Sequence, residues 1–238
     1  MIWKALLLVY VELRVTLPIA SRGRRRFHHR LSPQGIADAI DSFLGFPGLV
    51  CNLTNGAAEI DCAIKQIARP LNSVTEREKG EFWPSPDDTR PELDRLAPVG
   101  QYHSIFVFWP QHDLDNQQSV PGSAWGLGMG ASDCTNDATY AAVANAPAPD
   151  WRNEARGEVW LHEWLHGVCH HFAERGYPMP ERDADGGQLH GYQRSATSGW
   201  TDYYRDLMRG VVVEGDNRLG IPRHAWNKSP ADSRFTPR

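Results

Sequence analysis

Residues 162 to 166 read His-Glu-Trp-Leu-His, two imidazoles four positions apart with a carboxylate directly after the first. On an α-helix this spacing separates the histidines by roughly 6 Å of rise and keeps them on one face, so both rings can lean towards a single ion. Glu163 is turned by roughly 100° from His162, which sets it beside the ion and outside its coordination sphere. Two neutral imidazoles as ligands and a free carboxylate as base are what hydrolysis by a zinc-activated water requires. Zinc brings the pKa of its bound water to about 7 and polarises a scissile carbonyl, so Glu163 need only shuttle a proton to the leaving amine. The plainer reading, two histidines capping or packing a core helix, leaves Glu163 without a role.

The motif cannot complete its own metal site. His170 shares the face but lies roughly 12 Å along the helix from His162, too far for one ion, and His171 points to the opposite side. Beyond Gly176 the chain runs through YPMPERDADGGQLHGY, whose glycines and prolines permit a sharp return beneath the helix. His190 is its one histidine and the first choice as third ligand, with Tyr192 beside it as a donor to the oxyanion formed during attack. Asp183 and Asp185 are the oxygen-ligand alternatives. Asp202 is set aside, because Trp200, Tyr203, Tyr204, Leu207 and Met208 form the apolar face of its helix and Asp202 points roughly opposite.

These side chains need a scaffold. From about Asn153 to Ala173 there is no proline, and Leu161, Leu165, Val168 and Phe172 make an apolar helical stripe that requires a core. Upstream, Tyr102 to Trp109 (YHSIFVFW) reads as a strand bounded by Pro110. Trp125 to Gly130 and Thr139 to Val143 read as short strands or a hairpin. Gly126, Gly128 and Gly130 lack the spacing of a phosphate-binding loop; they leave room for a substrate backbone at an edge strand, or simply a flexible hairpin. Near the start, alternation at Val11, Leu13, Val15 and Leu17 suggests a strand. Ser32-Pro33 caps a helix carrying Ile36, Ile40, Phe43 and Leu44 up to Gly45. Ile60, Ile64, Ile67 and Leu71 repeat a helical period that Pro70 ends early. The proline-rich stretch from Val74 to Val99 reads as loop with one short helix near Pro91.

With its strands, its helix and VWLHEWLHGV, the stretch from Tyr102 to Gly210 resembles the zincin superfamily of metallopeptidases. The resemblance implies an α+β fold in which a mixed β-sheet and the motif-bearing helix form one lobe, and a mostly helical C-terminal lobe supplies the third ligand. It also implies a catalytic zinc held by His162 and His166, Glu163 as base, and a peptide or protein substrate lying along an edge strand above the cleft. Cys169 and Phe172 stand where the metzincin pattern has glycine and histidine, so that branch is not expected. Hydrolysis of a non-peptide amide and a non-catalytic binding domain are the competing expectations; retention of Glu163 speaks against the second.

The 238 residues, 41% of them apolar, suffice for an ordinary core, and with no internal repeat a single domain is expected over the whole chain. A formal charge of −4 gives no overall attraction to nucleic acid or anionic membranes. The one basic run, Arg22 to Arg30, reads as a solvated strand-to-helix loop. MIWKALLLVY begins like a secretory signal, but Glu12 and Arg14 interrupt it and no cleavage site follows; no other stretch reads as a bilayer span. Cys51, Cys62, Cys134 and Cys169 lack paired zinc spacings, although Cys51 and Cys62 could pair in an exported protein. Together with the sequon at Asn52, these signals are equally compatible with export and with the cytosol, and they leave the oligomeric state open.

Overall fold

The computed structural model describes residues 2–19, 23–78, 80–122, 126–145 and 155–227; the sequence expectations placed on Arg22, Trp125 and Asn153 lie outside these residues. The chain opens with β1 (Ile2–Tyr10), then a hairpin of β2 (Glu12–Ile19) and β3 (Gly23–Arg30). Helix α1 (Pro33–Leu53) leads into β4 (Glu59–Ile67), and a hairpin of β5 (Thr75–Glu78) and β6 (Glu81–Trp83) precedes α2 (Arg90–Leu96). After β7 (Ser104–Trp109) come the two-residue strands β8 (His112–Asp113) and β9 (Gln118–Ser119), then β10 (Gly126–Met129) and β11 (Thr139–Ala144). The last third holds α3 (Glu158–Ala173), α4 (Thr201–Leu207) and a hairpin of β12 (Val212–Glu214) and β13 (Asn217–Leu219).

Five strands form one mixed sheet in the order β10-β11-β7-β1-β4, all parallel to their neighbours except β10, which runs antiparallel to β11. Strands β1, β7 and β11 are apolar on both faces because both faces are covered, the usual condition of parallel strands. On one face α1 and α3 bring Phe43, Phe46, Trp160 and Leu165 onto Leu7, Val9, Phe106 and Phe108. Residues of the C-terminal segment, Tyr203, Leu207 and Trp226 among them, join this same core. On the other face the β2–β3 and β5–β6 hairpins and α2 pack Val15, Phe27, Trp83 and Leu93 against Leu8, Ile105 and Val107. The architecture is α+β around a mixed sheet.

Five expectations change. The stretch from 74 to 99, expected as loop with one short helix, also holds the β5–β6 hairpin ahead of α2. Residues 59 to 67 are a strand, because a four-residue spacing such as Ile60 to Ile64 satisfies period two as well as period 3.6, and pairing with β1 decides between them. The basic run is no loop but β3, with Phe27 and His29 turned inward and Arg24, Arg26 and Arg30 outward. Helix α1 does start at the Ser32 cap but continues through Gly45 and Pro47 to 21 residues. That length, with a mean hydropathy of 1.3, meets the bare criteria for a bilayer span, while Ala39, Phe43, Phe46 and Val50 are buried in the core. Finally, the segment after α3 is only sparsely helical among the described residues: α4 has seven residues, and turns and a short hairpin make up much of the rest. Its glycines and prolines favour turns over helix. All four cysteines are free thiols.

Candidate metal centre

Helix α3 begins at Gly157, which takes a left-handed conformation (φ 91°) that glycine adopts without strain, and where a β-carbon would strike the backbone of Gly45 and Phe46. Leu161, Leu165, Val168 and Phe172 are buried, as are the neighbouring Trp160 and Trp164. The chemistry-bearing face is turned towards β10. A β-carbon on Gly126, Gly128 or Gly130 would come closer than 3.0 Å to the Glu163 side chain, to the Glu163 carbonyl and His166 Cβ, and to the His170 ring respectively. These alternate glycines therefore admit the helix to the sheet; the room expected for a substrate backbone is taken by α3 itself.

His162 and His166 meet as expected, with their Nε2 atoms 3.3 Å apart. Each Nδ1 has its own partner. His166 Nδ1–H donates to Asp183 Oδ1 at 2.5 Å, and His162 Nδ1 lies 2.8 Å from the Tyr204 hydroxyl. Partners of this kind fix ring orientation and leave Nε2 as the metal-facing atom. Asp185 completes the group: its Oδ1 is 3.5 Å from His162 Nε2 and its Oδ2 4.0 Å from His166 Nε2. One ligand atom from each of the three lies within 4.8 Å of the others, so His162, His166 and Asp185 could hold a metal ion. Two imidazole nitrogens and a carboxylate oxygen suit zinc and also other first-row divalent ions.

Glu163 stands beside this group, its Oε1 4.0 Å from His162 Nε2, and its carboxyl makes no hydrogen bond among the described residues. Burial pushes the carboxyl up to about 8. Burial together with the charge of His166 holds His162 down at about 4. For His166 burial acts downwards too, but the hydrogen bond and charge of Asp183, helped by Glu163 and Asp185, prevail and raise it to about 9. The group lies in a cleft of about 590 Å³, walled on one side by Gly126, Leu127 and Gly128 of β10 and on the other by Arg77, Glu81 and Trp83 of the β5–β6 hairpin.

The loop below α3 departs from expectation at the third ligand. Arg182 and Asp183 both take positive φ (62° and 35°), which bends the chain sharply directly under the histidines. Asp183 is latched there: its carboxylate accepts from the Ala184 amide as well as from His166, and its carbonyl accepts from the Tyr203 hydroxyl. Asp185 is thereby presented to the cleft. His190, the first choice from sequence, does not join the group; its ring stacks parallel to that of Tyr203, and its Nδ1 lies 3.9 Å from Glu214. Tyr192 does not line the cleft either and donates its hydroxyl to Asp206 at 2.8 Å. The phenol at the site is that of Tyr204, which the sequence shows only as part of an apolar helical face. His171 is buried against Trp3 and Phe172, and His170 lies near Glu174, so neither joins the group. Comparison of the chain with models of protein families, with curated proteins and with solved structures finds no significant match.

Proposed function

We propose that the protein is a zinc-dependent, zincin-like peptidase in which His162, His166 and Asp185 hold the metal and Glu163 is the general base. The observation that carries this reading is the convergence of two oriented imidazoles and a carboxylate beside an acid with no hydrogen-bond partner among the described residues, all opening onto an edge strand. When bound there, zinc supplies Lewis acidity and lowers the pKa of water. Glu163, buried and brought into the neutral range, can take a proton from the attacking water and return it to the leaving amine. Asp183 and Tyr204 hold the two rings so that the ligand nitrogens need not reorient. The outer edge of β10, which has no neighbour among the described residues, offers backbone groups with which an extended peptide can pair, which favours a peptide over another amide.

A second reading rests on the donor set alone, since two histidines and one carboxylate also form the face that binds iron(II) in oxygen-activating centres. Glu163 at its side favours hydrolysis, and metal analysis of the purified protein separates the two. For the peptidase reading, a Glu163→Gln variant is expected to keep its zinc while losing hydrolysis of casein by on the order of 100-fold or more. Undiminished hydrolysis by that variant would sink the proposal.

A further inference from the structure

The sheet ends opposite the cleft in β4, whose outer edge has no neighbour among the described residues. Its nine residues pair with β1 in unbroken register, without bulge or proline. Exposed edges of this length are ordinarily blunted, and a lone lysine is a common device for doing so. Here Lys65 is not alone: Asp61 lies four residues before it on the same face, and Ala63 sits between them. Asp61 and Lys65 are both exposed and have no ion-pair partner among the described residues.

We infer that β4 pairs antiparallel with β4 of a second copy of this chain, about a twofold axis through Ala63, with Asp61 of each copy opposite Lys65 of the other. The pattern is self-complementary in this register. Small Ala63 meets itself at the axis, flanked on both sides by an opposite-charge pair, the arrangement cross-strand neighbours favour. On the other face Cys62 stands opposite Ile64 of the partner. Those two side chains and Ile60 are only partly buried against α1 and the core, and pairing covers them. The result is a continuous ten-stranded sheet in which both clefts face outward at the far edges, leaving the metal group of each copy untouched.

The test is the mass of the intact protein in solution, by light scattering over a micromolar concentration range. Wild type is expected to dimerise. Asp61→Lys and Lys65→Asp, each placing like charges opposite one another twice in the dimer, are expected to weaken association by about tenfold or more. The double variant Asp61→Lys/Lys65→Asp restores the opposite pairs and is expected to recover it. Circular dichroism of each variant checks that these exposed changes leave the monomer folded. A wild type that stays monomeric, a dimer indifferent to either reversal, or a double variant no better than the singles would overturn the inference.

Discussion

Asp183 and Asp185 lie two positions apart and face the same pair of histidines, yet one orients a ligand and the other completes the group. Removing them should therefore have different consequences. Asp183→Asn keeps an acceptor for His166 but loses its charge, and zinc affinity is expected to fall by about 10- to 100-fold in a chelator competition titration. Asp185→Ala removes a ligand and should cost more than Asp183→Asn, whereas His190→Ala should leave affinity unchanged; the reverse order of effects would discredit the assignment. The histidines and Glu163 were legible in the sequence because helical spacing alone fixes their relation. Asp185 was legible only as an alternative. Its position depends on positive φ at Arg182 and Asp183, which no glycine announces, and on a latch made by distant Tyr203.

At the scale of elements, the contact between α3 and β10 sets how closely the histidine-bearing face approaches the sheet. Gly128 lies at its centre, where an added methyl meets the backbone carbonyl of Glu163 and the Cβ of His166. Neither can swing away as a flexible side-chain end could. Gly128→Ala is expected to destabilise the fold by about 1–3 kcal/mol, read as a lowered thermal midpoint, and an unaltered midpoint would show that the contact is looser than described. Strand β7 could be read from its β-branched and aromatic run, and β10 and β11 as the short strands or hairpin expected between Gly126 and Val143. Strand β4 could not, since the spacing of Ile60 and Ile64 fits both periods and only pairing with the neighbouring β1 chooses between them. The glycines of β10 were visible in the sequence, but whether they made room for substrate or for a helix was a tertiary question.

Across the whole molecule, one buried group outside the cleft links stability to pH. His171 is held down at about 3 by burial, by the Arg175 guanidinium, which donates to its Nδ1 at 2.9 Å, and by nearby His103 and His170. Its folded pKa lies below the ordinary unfolded value of about 6.5, so the neutral ring is the one the fold accepts. The associated stability is complete above about pH 6.5 and is lost as pH falls from there towards 3, amounting to about 2 kcal/mol by pH 5. His171→Phe, which keeps an aromatic ring against Trp3 and Phe172, should flatten the fall in thermal midpoint over that range; an equally steep fall would place the acid sensitivity elsewhere. The central claim concerns the cleft, and it is met most directly by stripping the protein of metal with a chelator and titrating zinc back while following hydrolysis of casein. The account predicts that hydrolysis vanishes on stripping and returns to a plateau at one zinc per chain, whereas hydrolysis that survives chelation, or a stripped protein that takes up zinc without gaining activity, would contradict it.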